Sequence, residues 1–417
     1  MKKRFFSGML ACTLAAGLCL TTACSDDSGS ASGDTVEIGW IYDLSGNSAA
    51  SAAMVTAAID MAVEDLNADG GVLGKTVKVV TKDGASNTQN YSDLANELAY
   101  NSDVVAVFSA GTSASREAIR PIFEEAKLPY FYTSMYEGGV ASDYNICTSF
   151  TPEQNVLPLL EYIQENNLGS KIYLIAADYN FGQIEGQWLE EYAADYGMEI
   201  VGTEYIPLDV TQFGSTITNI LDSGADILWY DLVGSAHLGF YEQYYNAVQG
   251  TDYDILFTGS TPLISGELDA VDATYLENVL VCGAYYEGII DEAADFETRY
   301  YEKTSVGIND SAVTAYSGIM LWAKACEAAG SFDSDAVMNA INAGGIEVDN
   351  GIGGTTSIDP VQHHCAFNMY LCRIGAEKKM ELIETYENVE PTYLESLGVD
   401  CSVLGSAPNK QYSPIDE

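Results

Sequence analysis

Thr112, Ser113 and Ser115 follow a predicted strand, Val104 to Phe108, and precede a predicted helix, Arg116 to Lys127. Free backbone N–H groups at a helix start add donors to such hydroxyls, so this segment is suited to gripping a small polar ligand. One of the three also caps the helix, and Ser115 is the expected cap. Similar groups end other predicted strands: Ser45 to Ser48, Ser134 to Tyr136, Asp178-Tyr179-Asn180-Phe181, and Asp231-Leu232-Val233-Gly234. In open parallel sheets, small ligands lie beyond the carboxyl ends of the strands. Convergence of five such loops describes non-covalent binding in an aromatic cleft.

Bond-making chemistry has weaker support. Gly70 to Thr76 (GGVLGKT) looks like a phosphate loop, but Asp69 replaces the required first Gly and the stretch follows a helix, so a turn is expected. Neither GxSxG nor GxGxxG occurs; Gly351-Ile352-Gly353-Gly354 precedes no helix and reads as a hinge or turn. His363-His364-Cys365 offers zinc-ligand chemistry, but adjacent residues of an extended strand face opposite sides, so no metal is expected there. Carboxylates are so abundant that pairs such as Glu190-Glu191 read as solvated surface. No catalytic residue and no cofactor is assigned.

The elements that position these loops alternate. A strand from Val36 to Ile41 leads to an Ala-rich helix, Ser51 to Asn67, then a strand from Thr76, a helix from Tyr91 and the strand from Val104. After Thr151-Pro152 the beat restarts with strands at Lys171, Glu199, Ile227 and Ile255, separated by helices. Strand–helix–strand repetition gives right-handed crossovers and parallel sheets. The fold expected is α/β, with two Rossmann-like doubly wound lobes and a cleft between them. Linker signals near Thr151-Pro152, Gly283 to Tyr285 and Ile352 to Thr356 point to several crossings and therefore a hinge.

Bulk properties agree with two lobes: 417 residues exceed one hydrophobic core, and 47% hydrophobic content supports a folded chain. Residues 1–23 carry an export pattern, with Lys2, Lys3 and Arg4, an apolar run from Phe5 to Leu20, and small residues before Cys24. The stretch resembles a bacterial lipoprotein signal, which implies lipidation of Cys24 and a tether over residues 24–34; cleavage as an ordinary signal peptide is the alternative. Loss of three cations with the signal deepens a formal net charge of −44, which repels nucleic acid. Six cysteines, at 147, 282, 326, 365, 372 and 401, lie beyond Cys24, too scattered for their pairing to be deduced.

Several motifs resemble the extracellular binding proteins of branched-chain amino acid, urea and short-chain amide ABC transporters. Leu44-Ser45-Gly46 and Asn67 to Lys75 match the family at large. Asp83 to Ser86, Thr112 to Arg116, Tyr136-Glu137-Gly138, Asp178-Tyr179, and Ile358-Asp359-Pro360 running to His363-His364 resemble the urea and short-chain amide branch.

The resemblance implies a type I periplasmic binding fold with a three-crossing hinge. One lobe takes residues 35–150 and 285–356, the other residues 151–284 and 357–417. It implies ligand contacts from Thr112, Ser113, Tyr132, Ser134 and Met135 on the first lobe, and from Tyr179, Phe181, Leu232, Val233 and Gly234 on the second. Gly111, Met135 and Phe181 stand where relatives carry Tyr, Pro and Tyr, and Ser260 to Leu263 where urea binders carry an acid; these changes would enlarge the pocket. The expected ligand is urea, a short-chain amide or a related small neutral or zwitterionic solute. The expected partners are a permease and an ATPase, and the expected place is the extracellular face of the cytoplasmic membrane or the periplasm. A branched-chain or polar amino acid receptor, or a sensor feeding a regulator, is the alternative.

Overall fold

The central strands of the parallel sheets are near-continuous apolar runs, as strands covered on both faces require. Val36, Ile38, Trp40 and Ile41 are buried along β1 (Thr35–Tyr42), and Leu228, Trp229 and Tyr230 along β9 (Ile227–Asp231). The computed structural model describes residues 35–46, 48–261, 271–349, 351–392, 394, 397–398 and 409–414. The export signal, Cys24 and the tether lie outside them.

After β1 come α1 (Ala49–Ala68), β2 (Thr76–Asp83), α2 (Thr88–Tyr100), β3 (Val104–Ser109), α3 (Ser113–Ala126) and β4 (Tyr130–Tyr132). The short strands β5 (Val140–Ala141) and β6 (Asn145–Cys147) follow. The first sheet is parallel, in the order β2-β1-β3-β4-β6. Next are α4 (Pro152–Glu165), β7 (Lys171–Ala177), α5 (Asn180–Asp195), β8 (Glu199–Ile206), α6 (Gly214–Asp222), β9, α7 (Gly234–Val248) and β10 (Leu256–Thr258). They form a second parallel sheet, β10-β9-β7-β8. In both sheets the second strand flanks the first on one side while later strands extend the other. Strand order therefore reverses at β1/β3 and at β7/β9, the points where such folds bind ligands.

The rest of the chain departs from the parallel pattern. β11 (Leu280–Gly283) precedes α8 (Ala294–Thr304), α9 (Asp310–Ala329), α10 (Ser334–Asn342), β12 (Glu347–Asp349), β13 (Thr355–Ile358), β14 (Cys365–Ile374) and β15 (Met380–Val389). Five of these segments make an antiparallel sheet in which β14 lies between β11 and β15 and continues through β13 to β12. The stretch from Ile352 to Thr356, expected as a linker, is the turn of the β12–β13 hairpin and the first residues of β13. β16 (Lys410–Gln411) pairs with β5 as a separate ribbon.

The cysteines at 147, 282, 326, 365 and 372 are free and buried, and Cys401 lies outside the described residues. Cys282 sits opposite Leu371 and Cys372 opposite Val281, so these two neighbours face opposite sides of their sheet. His363 has left-handed backbone (φ 56°), and β14 begins only at Cys365, so the histidine pair is not on an extended strand. Each ring already has protein partners: His363 meets Ser142 O at 3.0 Å and Asn342 Oδ1 at 2.6 Å, and His364 meets Gln362 O at 2.6 Å and Tyr136 Oη at 2.5 Å. No described helix is long and apolar enough to cross a membrane.

Candidate ligand-binding site

Thr112, not Ser115, caps α3: its Oγ1 accepts from Ser115 N at 3.3 Å, while Ser115 Oγ donates to Thr112 O at 2.7 Å. The helix therefore starts at Ser113, three residues earlier than expected, which places Ser113 and Arg116 one turn apart on one face. Both are buried, and both reach Glu137. Ser113 Oγ donates to Glu137 Oε2 at 2.5 Å, and Arg116 Nη2 donates to Glu137 Oε1 at 2.8 Å with both side chains fully enclosed. Arg116 Nε also donates to Glu117 Oε1 at 3.0 Å. Burial would lower the guanidinium pKa, but Glu137 and then Glu117 outweigh it and hold the group firmly charged.

Aromatic rings complete this wall. The Arg116 guanidinium lies 4.2 Å from the Tyr136 ring centroid and 5.1 Å from that of Tyr132, within cation–π range. Tyr132 Oη donates to Gly111 O at 2.7 Å and also bonds with Ser134, so its hydroxyl is committed within the wall. Burial pushes the His364 pKa down to about 3 and keeps the ring neutral. With His364 Nδ1–H donating to Gln362 O, Nε2 accepts from the Tyr136 hydroxyl.

The second sheet contributes through α5. Tyr179 stands at its N-cap, and its hydroxyl titrates far above the usual phenol range through burial and then the charge of Glu137. Asn180 Nδ2 donates to Glu137 Oε1 at 3.3 Å, and Trp188 Nε1 to Glu137 O at 2.9 Å. Gln411 Nε2, from β16, donates to Glu137 Oε1 at 2.5 Å and to Gly138 O at 2.9 Å. Glu137 is thus the point where α3, α5 and the chain's end meet.

A second acidic group lies deeper on the α5 side. Glu185 and Asp231 are buried, and Ser260 joins them: its Oγ donates to Glu185 Oε2 at 3.3 Å and its N–H to Asp231 Oδ1 at 2.8 Å. Trp229 Nε1 donates to Asp231 Oδ2 at 3.1 Å. Val233, two residues on, stands at the N-cap of α7. Burial raises the Asp231 pKa to about 7. Glu185 is also raised well above the carboxylate range, by burial, then by Asp231 and Glu137.

Of the expected contacts, Thr112, Ser113, Tyr132, Ser134 and Tyr179 gather around the Glu137 wall. Met135 and Leu232 instead pack into hydrophobic cores. Phe181 is buried 5.9 Å from the Tyr179 ring, Val233 packs half-buried against the core, and Gly234 opens α7. Gly111 does not enlarge a pocket: a Cβ there would lie 2.4 Å from Ser115 Oγ and 2.7 Å from Tyr91 Oη, which fill that space. Sequence reasoning named Arg116, Glu137, Asn180 and Ser260 only within motifs and loops, not as site groups, and passed over Glu185. Arg116 carried a signal, standing three residues after Ser113; Glu185 carried none against an acidic background.

Two doubly wound parallel sheets, with polar side chains at their strand ends and a helix from one reaching the wall of the other, define a binding protein of the periplasmic class. The chain belongs to the periplasmic binding protein family, whose model matches residues 35–379. The family consists of binding proteins, not enzymes. Among curated relatives, Leu/Ile/Val-binding protein homolog 6 of Brucella melitensis is 25% identical over 377 residues, covering 88% of this chain and 93% of that protein. Homolog 7 of the same organism is 23% identical over 335 residues, covering 75% and 82%. Among solved structures, a Rhodopseudomonas palustris ABC transporter solute-binding protein in complex with 3,4-dihydroxybenzoic acid aligns with a TM-score of 0.77 at 22% identity, covering 86% of this chain and 99% of that one. A branched-chain amino acid transporter substrate-binding protein from Streptococcus pneumoniae, in complex with isoleucine, aligns with a TM-score of 0.72 at 22% identity, covering 85% and 99%.

Proposed function

We infer that this chain is the solute receptor of an ABC importer, held at the membrane through Cys24, with a small nitrogen-rich solute bound between its two parallel sheets. The lobes are those read from the sequence, 35–150 with 285–356 and 151–284 with 357–417. The observation that carries the reading is the meeting at Glu137: Ser113 and Arg116 reach it from α3 of the first sheet, and Asn180 from α5 of the second. Hydrogen bonds that span the two halves exist only when the halves are together, so ligand that strengthens them shifts the population toward the closed form.

The urea and short-amide reading draws on the motif resemblance, and the amino acid reading on the named relatives. A carboxylate-bearing ligand is the less favoured of these, because the buried Arg116 is already answered by Glu137 and Glu117. A thermal-shift panel of urea, formamide, acetamide, isoleucine, polar amino acids and 4-hydroxybenzoate tests the assignment. A true ligand at about a hundred times its Kd is expected to stabilise by about 2.7 kcal/mol. A shift with an amino acid and none with any amide would overturn the urea and amide reading. The anchor has its own test: Cys24→Ala is expected to move the protein from the membrane fraction to the soluble fraction, and unchanged membrane retention would exclude lipidation.

A further inference from the structure

Glu185 is 1% exposed, with Oε2 bonded to Ser260 and Oε1 enclosed with no hydrogen-bond partner among the described residues. Asp231, fully buried, stands on the other side of Ser260 and is close enough that its charge is the largest one acting on Glu185. Neither acid has an ion-pair partner among the described residues, and the segments left undescribed beyond residue 34 contain no Lys or Arg in sequence. The surroundings leave further polar demand unmet. Glu153, in the first turn of α4, adds its negative charge to the field on Glu185. Tyr192 Oη, enclosed and with no hydrogen-bond partner among the described residues, lies in the field of Glu153 and Glu185. Burying a carboxylate oxygen with no counter-charge and no donor is costly, and a bound cation removes that cost.

Charge balance narrows the class of ligand. Arg116 is matched by Glu137 and flanked by Glu117, so the first-sheet wall offers no spare positive charge to a ligand carboxylate. Ser113 Oγ, the other strong donor there, is spent on Glu137. When the Glu185–Asp231 pair shares one proton, a single negative charge is left over. A neutral amide would leave it unanswered, whereas a planar diamino cation supplies several N–H donors in a geometry that matches carboxylates.

We propose that Glu185 and Asp231, bridged by Ser260, form a cation-selecting subsite, and that the solute is a small amidinium or guanidinium compound without a carboxylate. The inference rests on the interlobe cleft being the ligand site and specifies what enters it.

Isosteric pairs separate charge from shape. In titrations of the full chain at pH 8, followed by calorimetry and Trp fluorescence, acetamidinium is expected to bind at least about tenfold more tightly than acetamide, and guanidinium at low millimolar concentration more tightly than urea. Trp229, bonded to Asp231, supplies a local signal: the fluorescence change on cation binding is expected to vanish in Trp229→Phe while binding heat persists. Glu185→Gln is expected to weaken acetamidinium by about tenfold or more and to change acetamide by less than about threefold. Equal or tighter binding of the neutral isosteres by the unmodified protein overturns the cation subsite and leaves the cleft assignment standing. Failure of every amide, amidine and amino acid to bind would remove both.

Discussion

Two buried acidic centres, one at Glu137 and one at Glu185 and Asp231, are built differently. Glu137 accepts from Ser113, Arg116, Asn180 and Gln411, and a guanidinium compensates its charge. Glu185 and Asp231 are as deeply enclosed, yet among the described residues neither has a cation, and one oxygen of Glu185 has no donor. A satisfied buried network rigidifies what it touches, while an unsatisfied one stores a cost that only a partner removes. The first centre is architecture that brings α3 and α5 together, and the second is where a ligand has something to complete.

Mutations should therefore have opposite signs at the two centres. Glu137→Gln leaves Arg116 buried without its main counter-charge, and a loss of roughly 3–5 kcal/mol is expected by thermal unfolding. Glu185→Gln, in the same assay without ligand, is expected to be neutral or stabilising. A loss under about 1 kcal/mol for Glu137→Gln would mean that Glu117 suffices for Arg116 and would erase the contrast.

The pH dependence sharpens it further. Asp231 ordinarily titrates at 3.8 and in the fold at about 7, because burial disfavours its charge. Below pH 4 both folded and unfolded chains hold the proton and nothing is lost. As pH rises toward and through 7 the unfolded chain has already released it, so the folded state loses stability. Relative to Asp231→Asn, the unmodified protein is expected to lose roughly 3 kcal/mol between pH 5 and 8. His364, held neutral by burial, contributes stability that is lost as pH falls below 6.5; that loss is common to both proteins and cancels in their difference. A pH-independent difference would show that Asp231 is ionised throughout.

The smallest effect belongs to Ser113. Removing its hydroxyl leaves one Glu137 oxygen short of a donor, and Ser113→Ala is expected to weaken solute binding by roughly 1–3 kcal/mol without unfolding the protein. Unchanged affinity in the thermal-shift panel would take Ser113 out of the site.

Much of the fold was legible because it is local. The alternation of apolar runs with Ala-rich helices names two parallel sheets, and the strand-end hydroxyls mark the sheet edge at which such folds bind ligands. The antiparallel sheet of β11 to β15 was not legible as such, since β11 joins it across a long gap, Cys282 pairing with Leu371. The site was half legible. Thr112, Ser113, Tyr132 and Tyr179 stood out by type and place, whereas Met135 and Leu232 share those loops and turn into the core, a choice made by neighbours rather than by residue type.

Sequence alone determined the element order, the doubly wound topology and the polar character of the strand ends, because apolar period and hydroxyl placement act within a few residues. Tertiary structure decided which charges are answered. Arg116 meets Glu137 from 21 residues away, while Glu185 faces Asp231 across Ser260, 75 residues from Glu185, with no ion-pair partner among the described residues. In a chain with 61 acidic residues, composition cannot single out these few; burial does, because only a carboxylate removed from water must find a partner.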